Sequence, residues 1–137
     1  MAEAREELIL RWLAEGRDAL EDAEFAATGA RWRNCIGRLY YACFHAVSAL
    51  LVSRDYTPTS HNNVERLFRQ HFGDTGAVSA DAIALYEDLH KQRLAADHSG
   101  GVFDEPQVRV WLAATRGFLA AIEELLQAPY ASAPQAY

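Results

Sequence analysis

From Glu3 to about Ala27 the apolar residues Leu8, Trp12, Leu13, Leu20 and Ala23 recur at helical spacing, with Glu and Asp filling the opposite face. The pattern predicts an amphipathic helix, weakened slightly by Gly16 inside it and ended by Thr28-Gly29-Ala30. The next stretch, Arg31 to Ser53, is the most apolar of the chain and is predicted to be the most buried helix, with Ile36, Tyr40, Cys43, Val47 and Leu50 on its packing face. A second stripe on that helix is polar: Asn34, Arg38, Tyr41 and His45 fall at i, i+4, i+7 and i+11, one line along an otherwise greasy element. Such groups are costly to bury alone, so they either satisfy one another as a structural network or line a cleft or interface.

Pro58 pushes Thr57 out of helical geometry, and a shorter helix from about Ser60 to Phe72 follows, capped by Thr59 or Ser60 and turned inward by Val64, Leu67, Phe68 and Phe72. After the turn Gly73-Asp74-Thr75-Gly76, Ser79 is placed to cap a helix running to about Asp97, with Ile83, Tyr86, Leu89 or His90, Arg93 and Ala96 along one side and Gly100-Gly101 stopping it. Asp104 as N-cap and Pro106 in the first turn open the last helix, whose stripe is Val108, Trp111, Leu112, Thr115, Phe118, Leu119, Ile122 and Leu126. No strand-length alternation is visible. The expected fold is all-α, an antiparallel up-and-down bundle of four long helices plus one shorter inserted helix, spanning residues 1–128. Residues 129–137, with Pro129, Pro134 and small side chains, are expected to be a flexible tail.

Length and composition fit that picture. With 137 residues, half of them hydrophobic and 23% charged, the chain is one globular domain able to bury a core. No apolar run is expected to cross a bilayer, because the richest stretch, Ile36 to Val52, carries Arg38 and His45. An acidic, helical N-terminus is unlike a signal peptide, so a cytoplasmic location is the expectation. Cys35 and Cys43 lie eight residues apart on one helix, roughly 12 Å by helical rise, too far for a disulfide.

The net charge of -6 is unevenly distributed: residues 31–72 hold six Arg against Asp55 and Glu65, whereas the blocks on either side are each acidic. A polyanion would therefore be met locally, by the middle of the chain and whatever folds against it.

The candidate chemistry sits at the end of the fourth predicted helix, in His90-Lys91-Gln92-Arg93-Leu94-Ala95-Ala96-Asp97-His98. Arg93 is a permanent planar cation that can fork onto a phosphate, and His98 is the side-chain type that titrates near neutrality. Together they suggest phosphodiester chemistry. The plainer reading is an i,i+4 ion pair of Arg93 with Asp97 and a histidine placed favourably at a helix C-terminus. In a straight helix five residues rotate by about 500°, leaving His98 roughly 140° from Arg93. Their convergence needs fraying of the helix end or a second subunit.

Three segments, Arg38-Leu39-Tyr40-Tyr41-Ala42-Cys43-Phe44-His45, Ser60-His61 and Arg93-Leu94-Ala95-Ala96-Asp97-His98, resemble the HEPN superfamily of small helical-bundle proteins, most closely its short stand-alone members. The resemblance implies a metal-independent, cofactor-free endoribonuclease of the toxin-antitoxin type, commonly a homodimer, with Arg93 holding the scissile phosphate and His98 acting as acid or base on it. Asn34, Arg38, Tyr41, His45 and Asp97 are then expected to meet the substrate. RNA and a small nucleotidyltransferase-like antitoxin are the implied partners, with no membrane. Three positions depart from the family pattern: Leu94 stands where active members often carry a polar residue, His98 where relatives in this branch frequently carry Tyr, and Gly100 where some family toxins carry the tyrosine their antitoxin modifies. The competing expectation is a non-catalytic nucleotide- or protein-binding module, which Leu94 favours. A metal-dependent hydrolase using His45, His61, His90 or His98 with Asp97 is a third reading, against which stands the lack of any ligand-spaced motif.

Overall fold

The computed structural model describes residues 2–99 and 103–127, with side chains described for 3–96 and 103–127. These residues form helices α1 (Ala2–Thr28), α2 (Trp32–Ser53), α3 (His61–Phe68), α4 (Ala80–Ser99) and α5 (Glu105–Gln127), and α3 continues into a π-helical turn at Arg69–Gly73. Among the described residues there is no strand. The all-α bundle of four long helices and one short inserted helix is therefore the fold. Gly100, Gly101 and the expected tail at 129–137 lie outside the described residues, as do the side chains of Asp97 and His98.

The most apolar helix is the hub. Along α2, Cys35, Ile36, Leu39, Tyr40, Ala42, Cys43, Ala46, Val47, Leu50 and Leu51 are all fully buried, and α1, α3, α4 and α5 each pack against it. Its Trp32–Ser53 span is in fact long and apolar enough by composition to cross a bilayer, with mean hydropathy 1.4, which corrects the expectation that no such run exists. Arg38 and His45 are too few to offset the aliphatic residues around them. The hydrophobicity serves the core instead, since 72% of that window is buried by the neighbouring helices.

The α1–α2 pair is the tightest. Gly16 is buried, and a Cβ placed on it would lie 3.1 Å from the Ala42 carbonyl oxygen and 3.4 Å from the Ala46 nitrogen. The glycine that weakens α1 as a helix thus lets the two backbones approach.

Both helices of that pair end in the same way. At the end of α1 the Arg31 N–H donates to the Ala26 carbonyl (2.9 Å) and the Ala30 N–H to the Ala27 carbonyl (3.1 Å). At the end of α2 Tyr56 and Asp55 repeat this pattern onto Leu51 (2.9 Å) and Val52 (3.1 Å). These are Schellman closures, which need a left-handed residue, and here the position is filled by Ala30 (φ 57°) and Asp55 (φ 69°) in place of glycine. Asp55 is in addition ion-paired with Arg5.

Ser60 caps α3 by accepting from the Asn63 N–H at 3.1 Å, and Ser79 caps α4 by accepting from the Ala82 N–H at 3.1 Å, as the sequence predicts. Two ion pairs join α1 to α5, Arg17–Glu123 (2.9 Å) and Arg116–Glu24 (2.7 Å). Both are largely solvated and contribute about 0–1 kcal/mol each. The buried stripe Val108, Leu112, Phe118, Leu119 and Ile122 is what docks α5.

Candidate functional site

Where the C-terminal end of α1, the N-terminal half of α2 and the last turns of α4 meet, the surface opens into a groove of about 770 Å³. Among the described residues four arginines line it, Arg31, Arg33, Arg38 and Arg93, together with the carboxylate of Asp22. Asn34, Tyr41 and Phe25 complete the working surface. The groove is therefore a patch of positive charge on a chain of net charge -6. Three members of the polar stripe predicted on α2, Asn34, Arg38 and Tyr41, reach it, and so does Arg93 from α4.

Arg93 is half-buried, and its guanidinium carbon lies 5.0 Å from the centre of the Tyr41 ring and 5.7 Å from that of Tyr40. Arg38 approaches the same Tyr41 ring at 5.1 Å and stands 3.8 Å from Asp22. Cation–π contacts of this kind contribute about 0.5–1 kcal/mol when exposed and about 2 when desolvated. They also restrict a side chain that would otherwise sample many rotamers, so the Arg93 guanidinium is held over the two rings at the edge of the groove.

Beneath Arg93 lies a cluster of rings centred on Tyr40, which is fully buried. Its hydroxyl is 2.6 Å from Nδ1 of His61, and its ring stacks on His90 at 4.9 Å and on His61 at 5.6 Å. His61 in turn lies flat on Phe44 at 4.4 Å, and Nδ1 of His90 is 2.6 Å from Oε1 of Glu65. Burial pushes the Tyr40 phenol well above its usual range. Burial also pulls His61 below 6.5, helped by the charges of Arg93 and His90. Both members of the bond are therefore neutral at neutral pH, and with the His61 proton on Nε2 the Tyr40 hydroxyl donates and Nδ1 accepts. The single-residue expectation for Tyr40, a packing position, is incomplete: it is also the floor on which Arg93 rests.

His45 stands apart from the groove. It is sandwiched between Trp12 (5.3 Å) and Tyr41 (5.8 Å), with Nε2 3.8 Å from Oε1 of Glu15. Burial lowers its pKa, with Arg38 and His61 adding to the effect and Glu15 opposing it. Among the described residues it touches the groove through the Tyr41 ring. Asp97 and His98 belong to the last turns of α4 by their backbone, and their side chains are outside the described residues. Sequence reasoning missed Arg31 and Arg33 as individual groove residues, although the +4 balance of residues 31–72 pointed to their neighbourhood. It gave no hint of the Glu65–His90 pair or of Phe25.

The two thiols are removed from any chemistry by burial, which raises Cys35 to about 11 and Cys43 further.

Comparison with known proteins bears on this arrangement. A family model described as the HEPN domain matches residues 9–125. A UPF0332 protein of Thermotoga maritima is 32% identical over 124 residues, which cover 90% of this chain and 94% of that one. A UPF0332 protein of Pyrococcus horikoshii is 34% identical over 61 residues, 44% of this chain and 43% of its own. A Methanocaldococcus jannaschii protein named as a candidate toxin is 22% identical over 90 residues, 66% of this chain and 61% of its own. Since the family match runs through every helix and the Thermotoga relative aligns over nearly its whole length, the chain belongs to the HEPN domain family.

Proposed function

We propose that the protein is a metal-independent endoribonuclease of the toxin-antitoxin kind, with Arg93 and His98 acting on the RNA phosphodiester in a cleft between two copies of the chain. The observation that carries this reading is the placement of Arg93, laid over Tyr40 and Tyr41 at the edge of a groove that also holds Arg31, Arg33 and Arg38. In the reaction the RNA 2'-hydroxyl attacks the adjacent phosphorus, losing its proton to a base. The O2'–P bond forms as the P–O5' bond breaks, and the leaving oxygen takes up a proton. Products are a 2',3'-cyclic phosphate and a 5'-hydroxyl. Arg93 would neutralise the charge that builds on the non-bridging oxygens, and His98 would carry the proton to or from one of the bridging ones. A guanidinium and an imidazole suffice for this, so no cofactor is required. Arg93 and His98 are roughly 140° apart around a straight helix, so their convergence needs fraying of the helix end or a second subunit, and this reading takes Arg93 of one protomer with His98 of the other. A small nucleotidyltransferase-like antitoxin is the expected partner, and the candidate-toxin name of the Methanocaldococcus relative supports that setting.

Purified protein should cleave single-stranded RNA in EDTA and leave cyclic phosphate ends, with Arg93→Ala and His98→Ala each abolishing the activity while leaving the helical spectrum intact. Activity unchanged in both variants overturns the assignment. A second reading, a non-catalytic nucleotide- or protein-binding module, is favoured by Leu94, which is 42% exposed beside Arg93 where a polar group would serve catalysis better. Specific nucleotide binding with no RNA turnover at high protein concentration would establish it.

A further inference from the structure

We propose that the groove beside Arg93 is a platform for unpaired RNA, in which Phe25 stacks a splayed-out base while Arg31, Arg33 and Arg38 track the backbone on its way to Arg93. The proposal rests on the reading of the chain as one that acts on RNA, and it assigns a binding role to Phe25, Arg31 and Arg33, which that reading leaves idle. Phe25 is 80% exposed, on a helix whose inward side is Leu13, Ala19, Ala23 and Ala27. A phenyl ring held in water stabilises nothing in the monomer. It does, however, stand in the wall of the groove that Arg31, Arg33, Arg38 and Arg93 line.

That combination of an exposed ring and several guanidinium groups is how single strands are held without sequence readout, the ring taking a base face and the cations the phosphates. The other groove ring, Tyr41, already carries two guanidinium groups, Arg38 at 5.1 Å and Arg93 at 5.0 Å. Phe25 is therefore the ring left for a base. Arg31 and Arg33, both exposed, flank it at the start of α2. From Asn34 to Tyr41 the helix rises about 10 Å, enough for the strand to run from one end of the groove to Arg93 with more than one phosphate in contact. A duplex fits less well, because its bases are stacked internally and Phe25 would meet only backbone. An acidic peptide would satisfy the arginines and leave the ring bare.

The test uses the full chain and a fluorescently labelled, fully 2'-O-methylated single-stranded RNA, which cannot be cleaved, read by anisotropy. The same strand annealed to its complement and polyglutamate serve as competitors. The single strand should bind tighter than the duplex, Phe25→Ala should weaken it about tenfold and Phe25→Trp should restore it. Replacing Arg31 and Arg33 together by Gln should flatten the dependence of log affinity on log salt by about 0.7 per arginine. Unchanged affinity in Phe25→Ala, equal binding of the duplex, or polyglutamate competing as well as RNA overturns the platform. So does a change of oligomeric state in Phe25→Ala by sedimentation, which would make Phe25 a protein contact. Cleavage of unmodified RNA is scored separately. Cleavage with unaltered binding in the variants removes the platform alone, whereas the predicted binding losses without any cleavage by the parent protein keep the platform and remove the ribonuclease reading.

Discussion

Replacing Tyr40 by Phe deletes one oxygen from the middle of the ring cluster and leaves the stacks on His61, His90 and Tyr86 in place. The oxygen lost is the donor to Nδ1 of His61 at 2.6 Å. A neutral hydrogen bond of this sort contributes about 0.5–1.5 kcal/mol net, and stranding the half-buried acceptor adds to the loss, so a total of about 1–2 kcal/mol is expected. At about 2.1 cal/mol/K per residue, 137 residues give an unfolding entropy of about 0.29 kcal/mol/K, and Tm should fall by about 3–7 °C.

The pH dependence sharpens the test. His61 lies below 6.5 in the folded protein because of burial and of the nearby Arg93 and His90 charges. The unfolded chain therefore takes up a proton first as pH falls, and stability present above 6.5 is lost through the window from there down to the folded value. Without the tyrosine donor the neutral imidazole is less favoured, His61 titrates higher, and its part of the acid loss shrinks. The gap in Tm between parent and Tyr40→Phe, measured by circular dichroism or calorimetry, should be widest near about pH 8 and narrow towards about pH 5. A double-mutant cycle with His61→Asn should give a coupling of about 1 kcal/mol. An unchanged Tm, or a gap that is constant with pH, refutes the neutral Tyr40–His61 bond and with it the floor beneath Arg93.

Other positions give simpler expectations. Gly16→Val drives a branched side chain into the Ala42 carbonyl and should lower stability by about 1–3 kcal/mol, seen as a lower urea midpoint with unchanged slope; an equal midpoint would mean that α1 and α2 can part there at no cost. Ala30→Gly relieves a left-handed alanine (φ 57°) and should raise stability by about 0.5–1 kcal/mol in the same assay. Cys35 and Cys43, fully buried and with thiol pKa values raised to about 11 and beyond, should resist a thiol-specific reagent in the native protein and react fully in denaturant; rapid native labelling of either would contradict the described packing.

The helices were legible from the spacing of their apolar residues, and α3 and α4 also from their caps, Ser60 and Ser79. So was half of the groove: Asn34, Arg38 and Tyr41 share one line of α2, and Arg93 lies on the side of α4 that faces it. His45 follows the same line but leaves the groove, because Trp12 arrives from α1 and covers it, a contact no local pattern encodes. The ring cluster was illegible for a similar reason, since Tyr40 meets His61 and His90, and His90 meets Glu65, only when three helices converge. Gly16 reads locally as a weak helix position and acts through the helix that crosses it. The left-handed closures at Ala30 and Asp55 carry no glycine to announce them.

The central claim is that Arg93 and His98 act together on RNA across two copies of the chain, and subunit mixing tests it most directly. Arg93→Ala and His98→Ala proteins, each inactive alone, are unfolded together, refolded together and assayed for RNA cleavage in EDTA. Random pairing makes half of the dimers mixed, each with one of its two composite sites intact, so about a quarter of the parent rate should return. A mixture that forms the mixed dimer and stays inactive contradicts the claim.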